Sequence, residues 1–498
     1  MPTTATVQAA DYGSCAINAI GLNLENNSSG VGWSYERNNL VGTLTLTADQ
    51  NFGITCNKGA DYVLLKIQYE GDVTISGNLT LNIEASIYGN GKEGDKLTIT
   101  DTLSNNETLL IAQANVEAET FSGNATNVQE SNLVVQNFST DSVSIYYGST
   151  VHSSNTFHVT KSLTVNEGTV ILDGQDNTGL QFDTGTFSLT ARIEVSHGIN
   201  KGIYCNSLII QNDAVVIIDD VAHVGIWTTN GLFINNNAKV HITGGYAEGA
   251  IATQNTGISI SGKVDVYTEA PIVVASGNLN VILTAGGRVE INADPSKAAI
   301  QVLGEAALFD IGSSEIQLPT DGSKGNYDDT PTILNGDGVP ANHVILAIHQ
   351  LDSVTVSPEN PIAYKGSFVQ FTAALSGLNI VDEEVAWSLE GTPTSNLTSI
   401  DENGKLTVGA DETASDLRVR ATSHSDPGIS GLSEVITLQN AAAPVNPSNP
   451  GSGSGSGAAG GSSTPLTGVY NQSVLWYWGL LISALSLVLI KRKQNQFD

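Results

Sequence analysis

One short pattern constrains this chain more than any other. Between Ser162 and Leu303 a small residue followed by an aliphatic returns as Gly179-Leu180, Gly202-Ile203, Gly225-Ile226, Ala250-Ile251, Pro271-Ile272 and Ala299-Ile300, with a mean period of 24 residues. A second pattern keeps the same beat. Segments beginning at Thr169, Arg192, Val215, Lys239, Lys263 and Arg288 each carry apolar residues at alternate positions, in steps of 23, 23, 24, 24 and 25 residues. Alternation marks a strand with one buried face. Short strands at a fixed period of a few tens of residues mark a solenoid. A single coil cannot bury its own apolar face, whereas stacked coils share a continuous core. The expectation is an all-β chain built on a parallel, right-handed β-helix.

Composition supports turns and strands over helices, with 51 Gly and one Met in 498 residues. With 50 acidic against 20 basic residues the net charge is −30, which repels phosphate backbones and excludes nucleic acid as a partner. Three cysteines, Cys15, Cys56 and Cys205, make neither a disulfide framework nor a zinc site. Cys205 falls on the inward phase of its strand. A Cys15–Cys56 bridge is possible, though nothing local argues for it.

The organisation expected along the chain has five parts. Residues 1–10 lack a charged and an apolar segment, but Val7-Gln8-Ala9 has the small-x-small form of a signal-peptidase site. They read as the remnant of a signal-peptide region, with the hydrophobic part upstream. Residues 11–350 form the solenoid, with a cap and first coils to about Ala85, irregular coils with insertions over 86–160, and terminal coils with a Gly/Asp-rich loop over 304–350. Trp33 belongs to the cap, because the open end of a solenoid must be covered. Residues 351–439 carry turn-separated alternating strands that suggest an antiparallel β-sandwich, with Trp387 in its core. Residues 440–463 are a Pro- then Gly/Ser-rich linker. Residues 464–498 end in an uncharged run, Val474 to Ile490, followed by Lys491-Arg492-Lys493. That run is a short transmembrane helix with its basic end cytoplasmic and Trp476, Tyr477 and Trp478 at the outer interface.

Three resemblances sharpen this plan. Gly32-Trp33-Ser34-Tyr35, Thr43-Leu44-Thr45-Leu46 and the run Gly77 to Ile83 resemble the opening of a family of bacterial surface proteins with β-helical, carbohydrate-binding-type domains. Val385-Ala386-Trp387 followed by Ile400-Asp401-Glu402-Asn403-Gly404-Lys405-Leu406 resembles the bacterial Ig-like domain, group 2, which implies a spacer or adhesive module without catalysis. Thr464-Pro465-Leu466-Thr467-Gly468, ahead of the apolar run and basic tail, resembles the LPxTG sorting signal of Gram-positive surface proteins, with Thr464 in place of Leu. It implies cleavage by a sortase after Thr467, anchoring to peptidoglycan, and an extracellular location for a precursor that crosses the membrane once.

Chemistry on the solenoid is sought among outward residues, which stack about 4.8 Å apart on successive coils. If Ile203 and Ile226 face in, Tyr204 and Trp227 face out side by side. With Asn206, His223 and Asn230 nearby they form either a platform for a sugar ring or a cross-strand pair that stabilises the sheet. A second column, Arg192, Val215, Lys239, Lys263 and Arg288, with Glu194, Ile217, His241, Asp265 and Glu290 two residues on, is either a charge-laced solvated face or a grip on an anionic polymer. No catalytic residue, cofactor or metal site is expected. Asp219-Asp220 reads as turn chemistry, and the loop with Asp328-Asp329 and Asp337 lacks the ligand spacing of a calcium loop. No phosphate-cradling loop or nucleophile elbow occurs. His152, His158, His197, His223, His241, His343, His349 and His424 show no ligand pairing. The functional expectation is a non-catalytic surface protein presenting a glycan-binding β-helix. The alternatives are an adhesive stalk for a host or matrix protein and a polysaccharide lyase or hydrolase.

Overall fold

A computed structural model describes residues 13–440 apart from 18–19, 62–63, 90–93, 174–178, 197–199, 245–246 and 304–306. The signal-peptide remnant, the linker beyond Asn440, the sorting motif and the apolar run of 474–490 all lie outside the described residues. Among the described residues there is no α-helix, and hence none long and apolar enough to cross a membrane.

Thirty-one of the described strands join one continuous sheet that winds as a β-solenoid of three parallel ladders. Ladder 1 contains Thr169–Asp173, Arg192–Ser196, Val215–Val221, Lys239–Gly244, Asp265–Thr268 and Arg288–Asn292, each paired in parallel with the next. Ladder 2 puts Leu180, Ile203, Ile226, Ile251, Ile272 and Ile300 in register, so the recurring small-aliphatic marker is one vertical stack. Ladder 3 runs through Ile258–Gly262 and Leu279–Leu283. Every stacked aliphatic of the marker is at most 1% exposed. The small residue before it has a steric cause. A Cβ on Gly225 would lie 2.4 Å from Cγ2 of Ile242 and 2.6 Å from the carbonyl oxygen of Ala250, so ladder 1 packs too closely there for a larger side chain.

The stretch expected to be irregular is the most regular part of the solenoid. Leu97–Ala112, Asn115–Gln129, Asn132–Tyr146 and Thr150–Asn166 are continuous strands that bend through all three ladders. Their coils are short. Val116, Leu133, Val151 and Val170 stack in ladder 1 at steps of 17, 18 and 19 residues. Phe121, Phe138 and Phe157 stack inside with ring centroids 4.9 and 4.3 Å apart. A search tuned to 23–25 residues passes over such coils, and their corners are short, with Gln113, Glu130 and Glu167 at positive φ and a Tyr147-Gly148 turn before Ser149. Ser131 and Ser149 turn one corner, each hydroxyl donating to a carbonyl two or three residues back.

Both ends are closed. At the start, Ser14–Ile17 runs antiparallel to Ile20–Asn23 and to Ile54–Asn57, and Cys15 is disulfide-bonded to Cys56. Trp33 is buried in the same cap, and the Tyr35 hydroxyl donates to the Leu24 carbonyl at 2.9 Å. At the far end Phe309–Asp310 continues ladder 3 in parallel with Leu279, and antiparallel strands then replace the rest of the expected terminal coils. His343–Ala347 pairs antiparallel with Arg288–Asn292 and with Glu315–Leu318. The expected Gly/Asp loop is largely a hairpin, Ser323–Tyr327 with Thr330–Leu334, turned by Asp328-Asp329 at φ 47° and 62°. Two residues with positive φ are what a tight hairpin turn requires. Reversing strand direction here stops the parallel ladder from recruiting a further strand.

A second core, separate from the solenoid interior, runs from Leu351 to Ile436 around Phe371, Leu406 and Val419. Small sheets enclose it. Gln350–Ser357 pairs with Thr372–Leu378, Phe368–Gln370 with Lys405–Thr407, and Val385–Glu390 with Arg418–Ser423, all antiparallel. Trp387 is half-buried against this core rather than inside it. Its ring packs on Gly404, where a Cβ would lie 2.8 Å from Cε2 of Trp387, while Asp401 accepts the backbone N–H groups of Asn403 and Lys405 at 3.0 and 2.9 Å. Glu412 is fully buried and accepts from the Thr394 hydroxyl and from the amides of Thr394, Ser395 and Ala414. Burial opposes its charge, but these donors outweigh that and hold the carboxyl far below the ordinary range.

Candidate functional site

The outward face of ladder 2 brings Tyr204 and Trp227 together. They are direct register partners on adjacent coils, and both are partly exposed. Ile203 and Ile226, one residue back, are fully buried. Cys205, one residue on, is also buried, and burial, reinforced by Asp183, pushes its thiol far above the usual range, leaving it inert. The alternation that fixes the core therefore fixes the platform.

Beside Tyr204 the same face opens into a surface cleft of about 380 Å³ lined by His158, Gln181, Asp183, Asn206 and Thr229 among others. His158, Gln181 and Tyr204 are stacked register partners along ladder 2, so the cleft runs along the solenoid axis. Asn206 belongs to its rim, where its side-chain oxygen accepts from the Thr229 hydroxyl at 2.7 Å and from the Asn230 amide. His223 does not join them. It is exposed and immediately precedes the strand, four residues before Trp227, roughly 13 Å away along the backbone at 3.3 Å per residue.

Sequence reasoning missed Lys201. Its ammonium lies 4.2 Å from the centre of the Tyr204 ring and 5.3 Å from that of Trp227. Such a contact contributes about 0.5–1 kcal/mol at an exposed site. Lys201 opens the strand that carries Tyr204, so a cation three residues before an outward aromatic was the available signal. Asp219 accepts from the Thr243 hydroxyl at 2.6 Å, and Asp220 adopts φ 55° with its N–H on the same hydroxyl. The pair therefore forms a bulge within the strand Val215–Val221, where the register shifts between Ile218 and Val221, rather than the expected turn.

The charged column needs correction. The structure pairs Lys239 with Asp265, and Asp265 with Arg288, so Lys263 is two residues out of the expected alignment. The true column is Arg192, Val215, Lys239, Asp265 and Arg288, with Glu194, Ile217, His241, Tyr267 and Glu290 two residues on. A slip of two leaves every side chain on the same face, so alternation alone cannot detect it. Asp265 thus stands between Lys239 and Arg288 and offsets the repulsion that successive cations would suffer. Arg192 pairs with Glu194, and Arg288 with Glu290 at 2.8 Å, while His241 packs edge-on against Tyr267. Lys239, Lys263, Asp265 and Arg288 line a separate cleft of about 420 Å³ that Leu378 and Asn379 of the second core also border.

Among the described residues three histidines do have carboxylate partners. His343 contacts Glu290 at 2.9 Å, His349 contacts Glu315 at 3.2 Å and His424 contacts Asp382 at 2.7 Å. These partners lie 34 to 53 residues away in sequence, beyond the reach of spacing arguments. No family model matches the chain, and no curated protein matches it significantly.

Proposed function

We propose that the chain is a non-catalytic surface protein whose β-solenoid binds a glycan across Tyr204 and Trp227. One observation carries this reading. Two outward aromatic rings stand in register on adjacent coils, beside a cleft with side-chain donors and acceptors. Sugar rings present apolar C–H faces to aromatic rings and hydroxyls to polar rims, and the arrangement offers both. The bound position of Lys201 gives the platform a preference that can be tested. An uncharged sugar must displace the ammonium, whereas an acidic sugar can keep it as a partner.

The remaining parts of the chain fit display at a cell surface. The second core reads as a group 2 Ig-like spacer on the Val385-Ala386-Trp387 strand and the Asp401–Gly404 turn. Thr464-Pro465-Leu466-Thr467-Gly468 reads as a sorting signal that transfers the chain from a single membrane span to peptidoglycan. Partners on this reading are a surface glycan, a sortase and the wall.

Affinity electrophoresis of a chain ending at Ala441 through neutral and acidic polysaccharides tests the binding face. Retardation by at least one polymer is expected, reduced about tenfold or more in Trp227→Ala, as for a central aromatic anchor. In Lys201→Ala, retardation by a neutral polymer holds or grows while that by an acidic one falls. Retardation unchanged in Trp227→Ala moves binding off this face, and no retardation by any polymer favours the adhesive stalk. Wall attachment is tested separately, since Pro465→Ala should leave the chain extractable by detergent.

A further inference from the structure

The second core carries a donor cluster that the glycan reading does not use. Val385–Glu390 and Arg418–Ser423 are antiparallel neighbours with Val385 opposite Ser423. The residues just before the first strand and just after the second therefore meet at one end of the sheet. They are Asp382, Glu384 and His424, and one ligand atom from each lies within 4.8 Å of the other two. The backbone pre-arranges all three. The Glu384 amide donates to Asp382 at 2.9 Å, and the His424 amide donates to the Glu384 carbonyl at 3.0 Å. His424 Nδ1 already sits 2.7 Å from Asp382 Oδ2. The His424 side chain is 70% exposed and so open to an ion from solvent.

We propose that Asp382, Glu384 and His424 bind one divalent transition-metal ion. Two carboxylates and an imidazole suit zinc and its neighbours, whereas calcium takes six to eight oxygens and no nitrogen. Bonds of about 2.0–2.2 Å place tetrahedral ligands about 3.4 Å apart. Side-chain rotation reaches that spacing, with His424 and Asp382 moving apart from 2.7 Å and Glu384 drawing in, without moving the strands. Three protein donors leave at least one coordination position to water, so the site is open rather than a sealed structural centre.

Its position gives the ion a mechanical role. Asn379, three residues before Asp382, takes φ 54° and donates from its side chain to the carbonyls of Gly287 and Ile348 at 3.1 and 3.3 Å. Its own carbonyl accepts from Gln317 at 3.1 Å. These bonds clip the second core to the last coil and cap of the solenoid. An ion on Asp382 and Glu384 fastens the far end of the same short segment to His424, and so braces the joint.

Calorimetric titration of the full chain with zinc chloride tests the proposal, with cobalt absorption as an independent report of a nitrogen-and-oxygen site. One equivalent should bind, at least tenfold more weakly in each of Asp382→Asn, Glu384→Gln and His424→Gln. Unchanged circular dichroism in these surface variants separates lost ligands from lost folding. Hydrogen exchange should slow at residues 380–385 and 423–425 when zinc is added. Absence of a one-equivalent site, or binding unaltered in all three variants, overturns the site. Binding without slowed exchange overturns the brace.

Discussion

The coils over residues 97–166 and those over 169–302 rest on the same three ladders but distribute their residues differently. In the first stretch ladder 1 leads into ladder 2 almost at once, as from Val135 to Asn137 and from Ser153 to Thr156. In the second, the same connection lengthens, as from Asp173 to Leu180 and from Ile242 to Gly249. In the coils that start at Thr169, Arg192, Val215 and Lys239 the added residues fall mainly at this corner, next to the face that bears Tyr204 and Trp227, whereas the coil that starts at Asp265 adds them after Leu279. The short coils stack Phe121, Phe138 and Phe157 inside, while the long coils bury Phe182 and Phe187 but set Tyr204 and Trp227 side by side outside. The lesson is a division of labour along one rod. Regular coils supply rigidity, and coils with a loosened corner supply a surface.

The largest expected effect tests the rigid half. Phe138 is fully buried between two stacked rings, so Phe138→Ala leaves a cavity and removes two ring contacts. A loss of about 3–5 kcal/mol is expected from denaturant unfolding, with the ring contacts contributing about 0.5–1.5 kcal/mol each. Ile226→Ala in the long coils removes less volume and no ring contact, and should cost less. Equal losses would break the comparison, because the aromatic stack would then add nothing beyond ordinary burial.

A smaller effect of opposite sign tests the looser half. Cys205, Thr228, Thr253, Val274 and Val302 form one inward column. The Thr228 and Thr253 hydroxyls are buried and find no hydrogen-bond partner among the described residues. An unpaired buried hydroxyl costs about 1–3 kcal/mol, and Val274 shows that valine fits the next position of the stack. Thr253→Val should therefore stabilise the chain by about 1 kcal/mol in the same unfolding measurement. Destabilisation instead would mean that the hydroxyl is solvated, which requires room for water inside the long coils.

The two halves were also unequally legible in sequence. The Leu180-to-Ile300 stack could be read directly, because burial imposes the same residue class at each coil and a glycine, alanine or proline stands beside it. The adjacency of Tyr204 and Trp227 followed from that stack by alternation. The short coils hid because Gln113, Glu130 and Glu167 turn corners with positive φ, at 49°, 46° and 55°, where glycine or asparagine would be the usual marker. The two-residue slip at Lys263 hid because period-2 patterning is blind to even shifts. Lys201 over the rings, the Cys15–Cys56 bridge and the trio Asp382, Glu384 and His424 depend on which strands become neighbours. Local spacing contains no record of that.

The smallest expected effect concerns how the long-coil half ends. Burial alone would raise the Glu290 carboxyl, but hydrogen bonds and charge from Arg288 and His343 hold it below the ordinary range. A depressed folded value means that the ionised group contributes stability above its unfolded value of about 4.3, and that this is lost as the pH falls through the folded value. The contribution is under about 1 kcal/mol, since the pair is partly exposed and screened. It acts on one strand, because His343 lies in the antiparallel cap and Glu290 in the last ladder 1 strand. Hydrogen exchange at pH 3 should therefore show His343–Ala347 losing protection ahead of residues 132–138 of the short coils, a segment that carries no carboxylate. Glu290→Gln should show that early loss already at pH 7 and little further change on acidification. Simultaneous loss in both regions would mean that the cap is held by its backbone ladder alone, and that the two halves of the rod respond to acid as one.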